Sequence, residues 1–534
     1  MSRVPSSAST MQTMTCSFFE LYQSPKCPVL PLPTTTQPTI LHDSLRPGAA
    51  PRYLGRDCLA LYANYFTAGF VSNLAASLPT PVLKTYLHLS PTQASVLQTI
   101  TFIAWTLKAL LGGVSDCFPI AGSRRKAYML LGWVVCAASF VVLAVLDDAP
   151  GLVVAALVGL TQVGFMVSLT AGDALMVDLA QREPHATRGR LQAFTFASRY
   201  LGLAAAQLGT SMALHSAQYG GPFSFGLTLR IFFALCAIPC ITMVPVVVCG
   251  VHEVARRRVV NVPEHLAAFW GLAQKRVFWQ SLLFQFCFEL LTFGFVPLID
   301  AVVAQRWGHA DNAAVNSFAQ VGGLLLQALA MALVGVAGTQ CNWRHMIALS
   351  TVVWVAHETL VYMLVIFSVV RTPAFFLVGT QSAFFAQGIQ QLAISFVYVE
   401  IIDVGMEGIS YGMLSTMANL GQTLGPALSG AVNSAFGVSD KDVQADAART
   451  RVSVASIYAV AFGSALLACA FLPWLPLQKD HTAFLRAYGG PKNPVAAAWT
   501  LSLCAASIVL GFVINILADF DSTACMVLAG GPGC

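Results

Sequence analysis

The stretch LLGGVSDCFPIAGSRRKAYMLLGWVV, residues 110–135, joins two apolar runs through one Asp, one Pro, a Gly and three consecutive cations, Arg124, Arg125 and Lys126. Charge is scarce elsewhere. Of 534 residues, 56% are hydrophobic and 10% charged, whereas a soluble domain carries about a quarter charged residues. The apolar residues come in blocks of about twenty or more, the length that crosses a bilayer as a helix. A chain in lipid must satisfy its own backbone hydrogen bonds, which leaves helices or closed barrels. Continuous rather than alternating apolar runs select helices, so the fold class is an all-α polytopic membrane protein.

Working outward, spans are expected at 58–82, 93–115, 127–147, 151–179, 190–215, 227–249, 278–304, 313–338, 345–367, 373–402, 408–435 and 452–475, with a further apolar block at 495–517. The longest gap, 250–277, reads as a linker that divides the chain into a six-helix unit at 57–249 and another at 278–475. Residues 476–534 then hold a polar connection, the extra helix and a tail. Residues 1–56 are rich in Ser, Thr and Pro and read as a mobile N-terminal tail without a cleavable signal peptide. The two sets align with a shift of 219: Gly189 and Gly202 correspond to Gly408 and Gly421. Internal six-helix repeats mark transporter folds that rock about a central site.

Loop cations set the orientation. With the N-terminus inside, the inner loops carry twelve Lys and Arg and the outer loops seven. Arg124, Arg125 and Lys126 therefore hold the second-to-third connection in the cytoplasm. Gly112 and Asp116 ask for more. Gly112 lets a neighbouring helix approach closely. Asp116, at a helix end, can accept bonds from another helix's N-terminus or from the nearby arginines. Gly112, Asp116, Arg124 and Arg125 together read as a cytoplasmic gate.

The pattern G-x-x-x-D followed by G-x-R-R-K resembles the loop motif of the major facilitator superfamily. The longer SDCFPIAGSRRKAY (115–128) resembles the folate–biopterin transporter family within it. So do GMEGISYGMLSTMANLGQTLG (405–425), GDALMVD (172–178) and QAFTFASRYLG (192–202). Asp403 departs from that family's pattern, which has Pro before the G-x-E-G turn. The resemblance spans about 57–475. It implies a major-facilitator-like bundle of six plus six helices, with an additional C-terminal apolar helix. It also implies facilitated or proton-linked movement of folates or pterins. Another small organic solute, or a non-transporting receptor or scaffold, stays open. The plasma membrane is the expected location, an organellar one the alternative.

Ionisable groups within spans need a partner or a task. Lys108, Asp173 and Arg199, on the second, fourth and fifth spans, lie about 9–14 Å from the inner boundary at 1.5 Å per residue. They form either a structural charge network or a site with one extra cation for an anionic solute. In the second reading Asp173 accepts the paired N–H groups of a pterin edge, and Arg199 or Lys108 holds the carboxylates of a folate tail. Phe70, Phe165 or Tyr65 offers stacking. Glu289 lies about 16 Å deep on the seventh span, with Gln285 four residues before it on the same face; it is the candidate proton carrier. His357 and Glu358 read as a structural pair. Among Gln387, Gln390 and Gln391, Gln390 is the substrate-binding candidate.

The fourteen Cys show no CxxC or Cys/His metal spacing; Cys525 and Cys534 could pair outside. No metal and no cofactor is expected. There is no GxxxxGK[ST] phosphate loop, no H-E-x-x-H and no G-x-S-x-G, so ATP-driven transport and embedded hydrolase chemistry have no support. The net charge of +5 resides in loops between spans and does not point to nucleic acid. The expected partners are membrane lipid and a small solute.

Overall fold

The computed structural model describes residues 44–147, 149–253, 260–518, 520, 522–523 and 525–526. The expected tail up to residue 43, and Cys534 with its expected pairing, lie outside the described residues.

Helices occupy all thirteen apolar blocks. In chain order they run Arg56–Ser77, Pro91–Thr106 with Lys108–Cys117, Lys126–Val145, Gly151–Ala180, Arg190–Ala213, Leu229–Gly250, Arg276–Glu289, Ala313–Leu333, Trp343–Ile366, Pro373–Ser382 with Phe384–Ile401, Glu407–Phe436, Ala448–Ala468 and Pro494–Ala518. They are called the first to thirteenth helices below. Among the described residues eight are long and apolar enough to cross a membrane unaided, and the bent pair Leu97–Thr106 and Lys108–Cys117 makes a ninth. The first, fifth, tenth and eleventh are diluted by polar residues such as Asn64, Arg199, Gln390 and Asn419. The protein is thus an all-α, multi-pass integral membrane protein.

Local chemistry fixes where helices begin. The Ser90 hydroxyl and Gln93 side chain form a reciprocal capping box, and the side chains of Thr228, Asn312, Asn342 and Thr372 each accept from the first-turn amides of the helix that follows. Such caps satisfy amides that have no partner within the helix.

Three blocks expected to be continuous are broken. The second bends by 47° at Leu107, where the Thr106 hydroxyl binds the Phe102 carbonyl at 2.7 Å and competes with the backbone ladder. The seventh, expected over 278–304, stops near Gly294 and resumes as Asp300–Arg306. Pro297 disfavours helical geometry at Val296 and brings no N–H of its own. The tenth breaks at Ala383. The linker contains its own helix, Val262–Ala273, and the polar connection after the twelfth contains Lys479–Tyr488.

The described part of the N-terminal segment is docked rather than mobile. Arg46 Nη1 lies 2.6 Å from Asp178 and 2.9 Å from Glu407, and its amide donates to the Gln181 carbonyl at 3.1 Å. Close helix contacts also recur at the 219-residue shift. A Cβ on Gly202 would stand 1.9 Å from the Phe66 carbonyl, and one on Gly421 would stand 2.7 Å from the Phe286 carbonyl. In each half, a glycine lets the fifth helix of that half ride directly on the backbone of its first. The thirteenth helix rests Phe512 edge-on against Phe102 of the second, at 5.4 Å between ring centroids. Its Cys504 sulfur lies 3.7 Å from Met413 of the eleventh.

Candidate functional site

The break at Leu107 aims the inner half of the second helix into the middle of the bundle. Its first residue, Lys108, is 3% exposed, and Lys108 Nζ lies 2.7 Å from Asp173 Oδ2 on the fourth helix. The other Asp173 oxygen accepts from the Tyr65 hydroxyl of the first helix. Arg199 of the fifth helix stands beside this pair. Its guanidinium carbon is 5.2 Å from the Trp105 ring centroid, while Lys108 Nζ lies 5.6 Å from Trp105 and 5.2 Å from Tyr411. A cation over an aromatic face is attracted by the ring quadrupole. The Arg199 Nε finds no hydrogen-bond partner among the described residues. The three charges inferred from depth do converge: Lys108 and Asp173 neutralise each other, and Arg199 is the extra cation.

They line a cavity of about 100 Å³ whose opposite wall carries Glu289. Its two carboxylate oxygens accept from Gln285 Nε2 and Gln422 Nε2, each at 3.0 Å. The Tyr398 hydroxyl donates to Gln285 Oε1 at 2.8 Å. Helices of both halves therefore face one polar hollow, with a cation on one side and a carboxylate on the other.

Gln390 is not part of the lining. It is fully buried, and its Nε2 donates to Thr351 Oγ1 at 2.5 Å, which ties the tenth helix to the ninth. Its neighbour Gln391 lines the cavity and accepts from the Tyr200 hydroxyl at 2.5 Å. One residue turns a helix by about 100°, enough to exchange cavity for core. The aromatic candidates also shift. Tyr65 supports Asp173, Phe165 packs on Trp105 with ring centroids 6.2 Å apart, and Phe70 sits against the core. The rings on the cavity are those of Trp105, Phe196, Tyr200, Tyr398 and Tyr411. His357 binds Ser382 and the Gly379 carbonyl, each at 2.9 Å. It joins the ninth and tenth helices away from the cavity.

At the cation-rich end the quoted loop forms a latch between the second and eleventh helices. A Cβ on Gly112 would meet the Gly408 carbonyl at 2.1 Å, so the two backbones are in contact. Asp116, fully buried, accepts from the Gly408 and Ile409 amides at 3.2 and 2.9 Å. A carboxylate at a helix N-terminus is favoured by both the free amides and the helix dipole. Arg125 bridges Asp116 at 2.5 Å and Glu407 at 3.0 Å. Arg124 Nη1 donates to the Asp116 carbonyl at 3.0 Å.

Sequence reasoning missed three parts of this latch. Glu407 and Arg46 extend it to Asp178. Glu253 anchors the loop from below, accepting from the amides of Arg124, Arg125 and Lys126 and from the Ser123 hydroxyl. Burial pushes the Glu253 carboxyl up, but those bonds outweigh it and hold it below the ordinary range. The position equivalent to Asp116 in the second half is Gly335, whose carbonyl accepts from Arg190 Nε at 3.1 Å. That seam is held instead by Arg188 and Glu400 at 2.6 Å and by Lys479 Nζ on the His185 carbonyl at 2.8 Å. Burial, against the pull of Glu400, lowers Lys479 to about 8.

The sequence matches the BT1 family over residues 68–476. It is 30% identical over 177 residues to a protein of Synechocystis named folate-biopterin transporter, covering 33% of this chain and 34% of that one. It is 28% identical over 140 residues to an Arabidopsis thaliana protein named probable folate-biopterin transporter 4, covering 26% and 28%. A Plasmodium falciparum protein named folate transporter 1 is 39% identical over 62 residues, 12% of each chain. The matched stretches span about a third or less of the length of these relatives. With the family match running through most of the helical bundle, the chain belongs to the BT1 family.

Proposed function

We propose that the chain is a secondary transporter that moves folate- or pterin-type solutes by alternating access, the halves 57–249 and 278–475 rocking about the central cavity. The observation that carries this reading is one hollow walled by charges of both halves, Arg199 with Lys108 and Asp173 on one side and Glu289 on the other. It lies beyond a latch that also joins both halves. A site shared by two units has to be remade when they rotate, which is what alternating access requires. The names of the three relatives supply the solute class.

Arg199 and, once released from Asp173, Lys108 hold the anionic part of the solute. Asp173 is released in turn for hydrogen bonding. Gly112, Asp116, Arg124 and Arg125 close the cytoplasmic side. Glu289 faces the same hollow, so a proton that it takes up competes directly with solute for its oxygens; this links transport to protons. The plasma membrane is the proposed location.

The test is uptake into vesicles reconstituted with the full chain. Labelled folate and biopterin should enter saturably and compete with each other but not with unrelated amino acids or sugars. Asp173→Asn, which takes the counter-charge from Lys108, should change affinity for the anionic part of the solute more than it lowers protein abundance, and Glu289→Gln should remove the pH dependence of uptake. Binding of both solutes without net entry would favour a receptor.

A further inference from the structure

We infer that Glu289, with the eleventh-helix residues Ser415, Asn419 and Gln422, is the element that reads the ring of the solute, and that it does so through a paired N–H edge. The inference rests on the transport reading above and assigns the recognition chemistry of the same cavity. It moves ring recognition from Asp173, where the sequence placed it, to the opposite wall.

Three observations lead there. First, Asp173 is already committed to the first half: one oxygen accepts from the Tyr65 hydroxyl, and the other is ion-paired with Lys108 at 2.7 Å though it accepts no hydrogen bond among the described residues. Glu289 has no ion-pair partner among the described residues; each of its oxygens accepts one amide hydrogen. A carboxylate has about four acceptor directions, so acceptor capacity remains on each oxygen. Second, the Gln285 amide cannot turn freely. Its oxygen takes the Tyr398 hydroxyl at 2.8 Å, which keeps its nitrogen on Glu289 and fixes the carboxylate plane. Third, Ser415 Oγ and Asn419 Nδ2 line the cavity and are buried with no hydrogen-bond partner among the described residues. Buried polar atoms without partners are rare. With Gln422 they fall at i, i+4 and i+7, one face of a helix. A carboxylate with acceptor capacity left on both oxygens, in one cavity with orphaned donors, fits a flat heterocycle whose edge pairs an amino group with a ring N–H and whose far side offers acceptors. A 2-amino-4-oxopteridine has that edge.

The test uses the full chain in detergent, titrated calorimetrically with pterin, which is 2-amino-4-oxopteridine, and with lumazine, in which oxygen replaces the 2-amino group. Two N–H groups match a carboxylate; the lumazine edge, one N–H beside one carbonyl, does not. The unmodified protein should bind pterin at least about tenfold more tightly, since a buried site built for a hydrogen bond rejects the analogue that lacks it. In Glu289→Gln the carboxamide offers one acceptor and one donor, so the preference should vanish or reverse while lumazine binding persists. Gln422→Ala, which removes one of the donors orienting the carboxylate, should narrow the preference without reversing it. Equal affinities in the unmodified protein, or a preference unaltered in both variants, would overturn the inference. Failure of the unmodified protein to bind either pteridine would instead count against the transport reading.

Discussion

Asp116→Asn tests the latch most directly. The Asp116 carboxylate accepts the Ile409 amide on one oxygen, and the Gly408 amide and Arg125 on the other. The carboxamide has one oxygen left, and its NH2 group must face a donor. At least one of these bonds is lost, and a full charge is removed from beside Arg125 and the helix N-terminus. Hydrogen bonds to charged groups contribute about 1.5–3 kcal/mol each. Arg125 keeps Glu407 at 3.0 Å, so the guanidinium is not stranded, and the loss stays near one or two such bonds. About 3 kcal/mol removed from the closed arrangement alone shifts the balance between states closed and open at this end roughly a hundredfold toward open. Spin labels at Phe118 and Val404, both exposed and on opposite halves at this end, would report it by double electron–electron resonance in a background without reactive cysteines. The distance distribution should gain a longer, dominant component. A folded Asp116→Asn protein whose distribution matches the parent would refute the assignment of Asp116 as a latch.

Gly112→Val should act in the same direction by steric means, because its side chain would enter the space of the Gly408 carbonyl at 2.1 Å; labels at the same positions would check it. Lys108→Ala leaves Asp173 buried with Tyr65 as its remaining partner and should cost about 3–5 kcal/mol, seen as a lowered Tm in detergent. Arg199→Ala removes a cation with no ion-pair partner among the described residues, so its Tm should stay near that of the parent while affinity for anionic solute falls. Equal Tm losses in the two variants would contradict this division. Glu183 provides a pH test. Burial raises its pKa to about 7, against bonds from the Tyr53 hydroxyl and the Gly189 and Leu191 amides. The folded state therefore holds an extra proton between the ordinary carboxyl range and about pH 7. Stability is greatest below that window and falls through it as pH rises, by about 3 kcal/mol for the full shift. Glu183→Gln should flatten that slope in Tm against pH; an unchanged slope would exclude Glu183 as its source.

Depth along a helix was legible in the sequence, and rotation about its axis was not. Counting residues from the span ends brought Lys108, Asp173 and Arg199 to one level because rise per residue is nearly constant. The same count cannot choose between Gln390 and Gln391, which differ by a fraction of a turn and have opposite surroundings. Arg46 was missed because it lies in a polar, Pro-rich stretch without a helical period. Its place depends on two distant acids, Asp178 and Glu407. Glu253 was hidden for a related reason: its partners are backbone amides, which leave no mark in the side chains. The stripe Ser415, Asn419 and Gln422 did carry a signal, the 4-then-3 spacing within GMLSTMANLGQTLG, 412–425. Uncharged polar side chains at helical spacing are equally what holds two helices together, so the stripe alone does not mark a cavity.

The ten-residue piece Lys108–Cys117 carries a consequence beyond either of its ends. Lys108 opens it and Asp116 nearly closes it, about 12 Å apart on a little over two turns of unbroken helix. The bend at Leu107 sets this piece at 47° to the outer part of the same span. The ion pair with Asp173 and the bonds to the Gly408 and Ile409 amides are therefore carried by one and the same stretch of helix. Cavity wall and interhelical clasp thus share a single backbone, with no relay of intervening side chains between them.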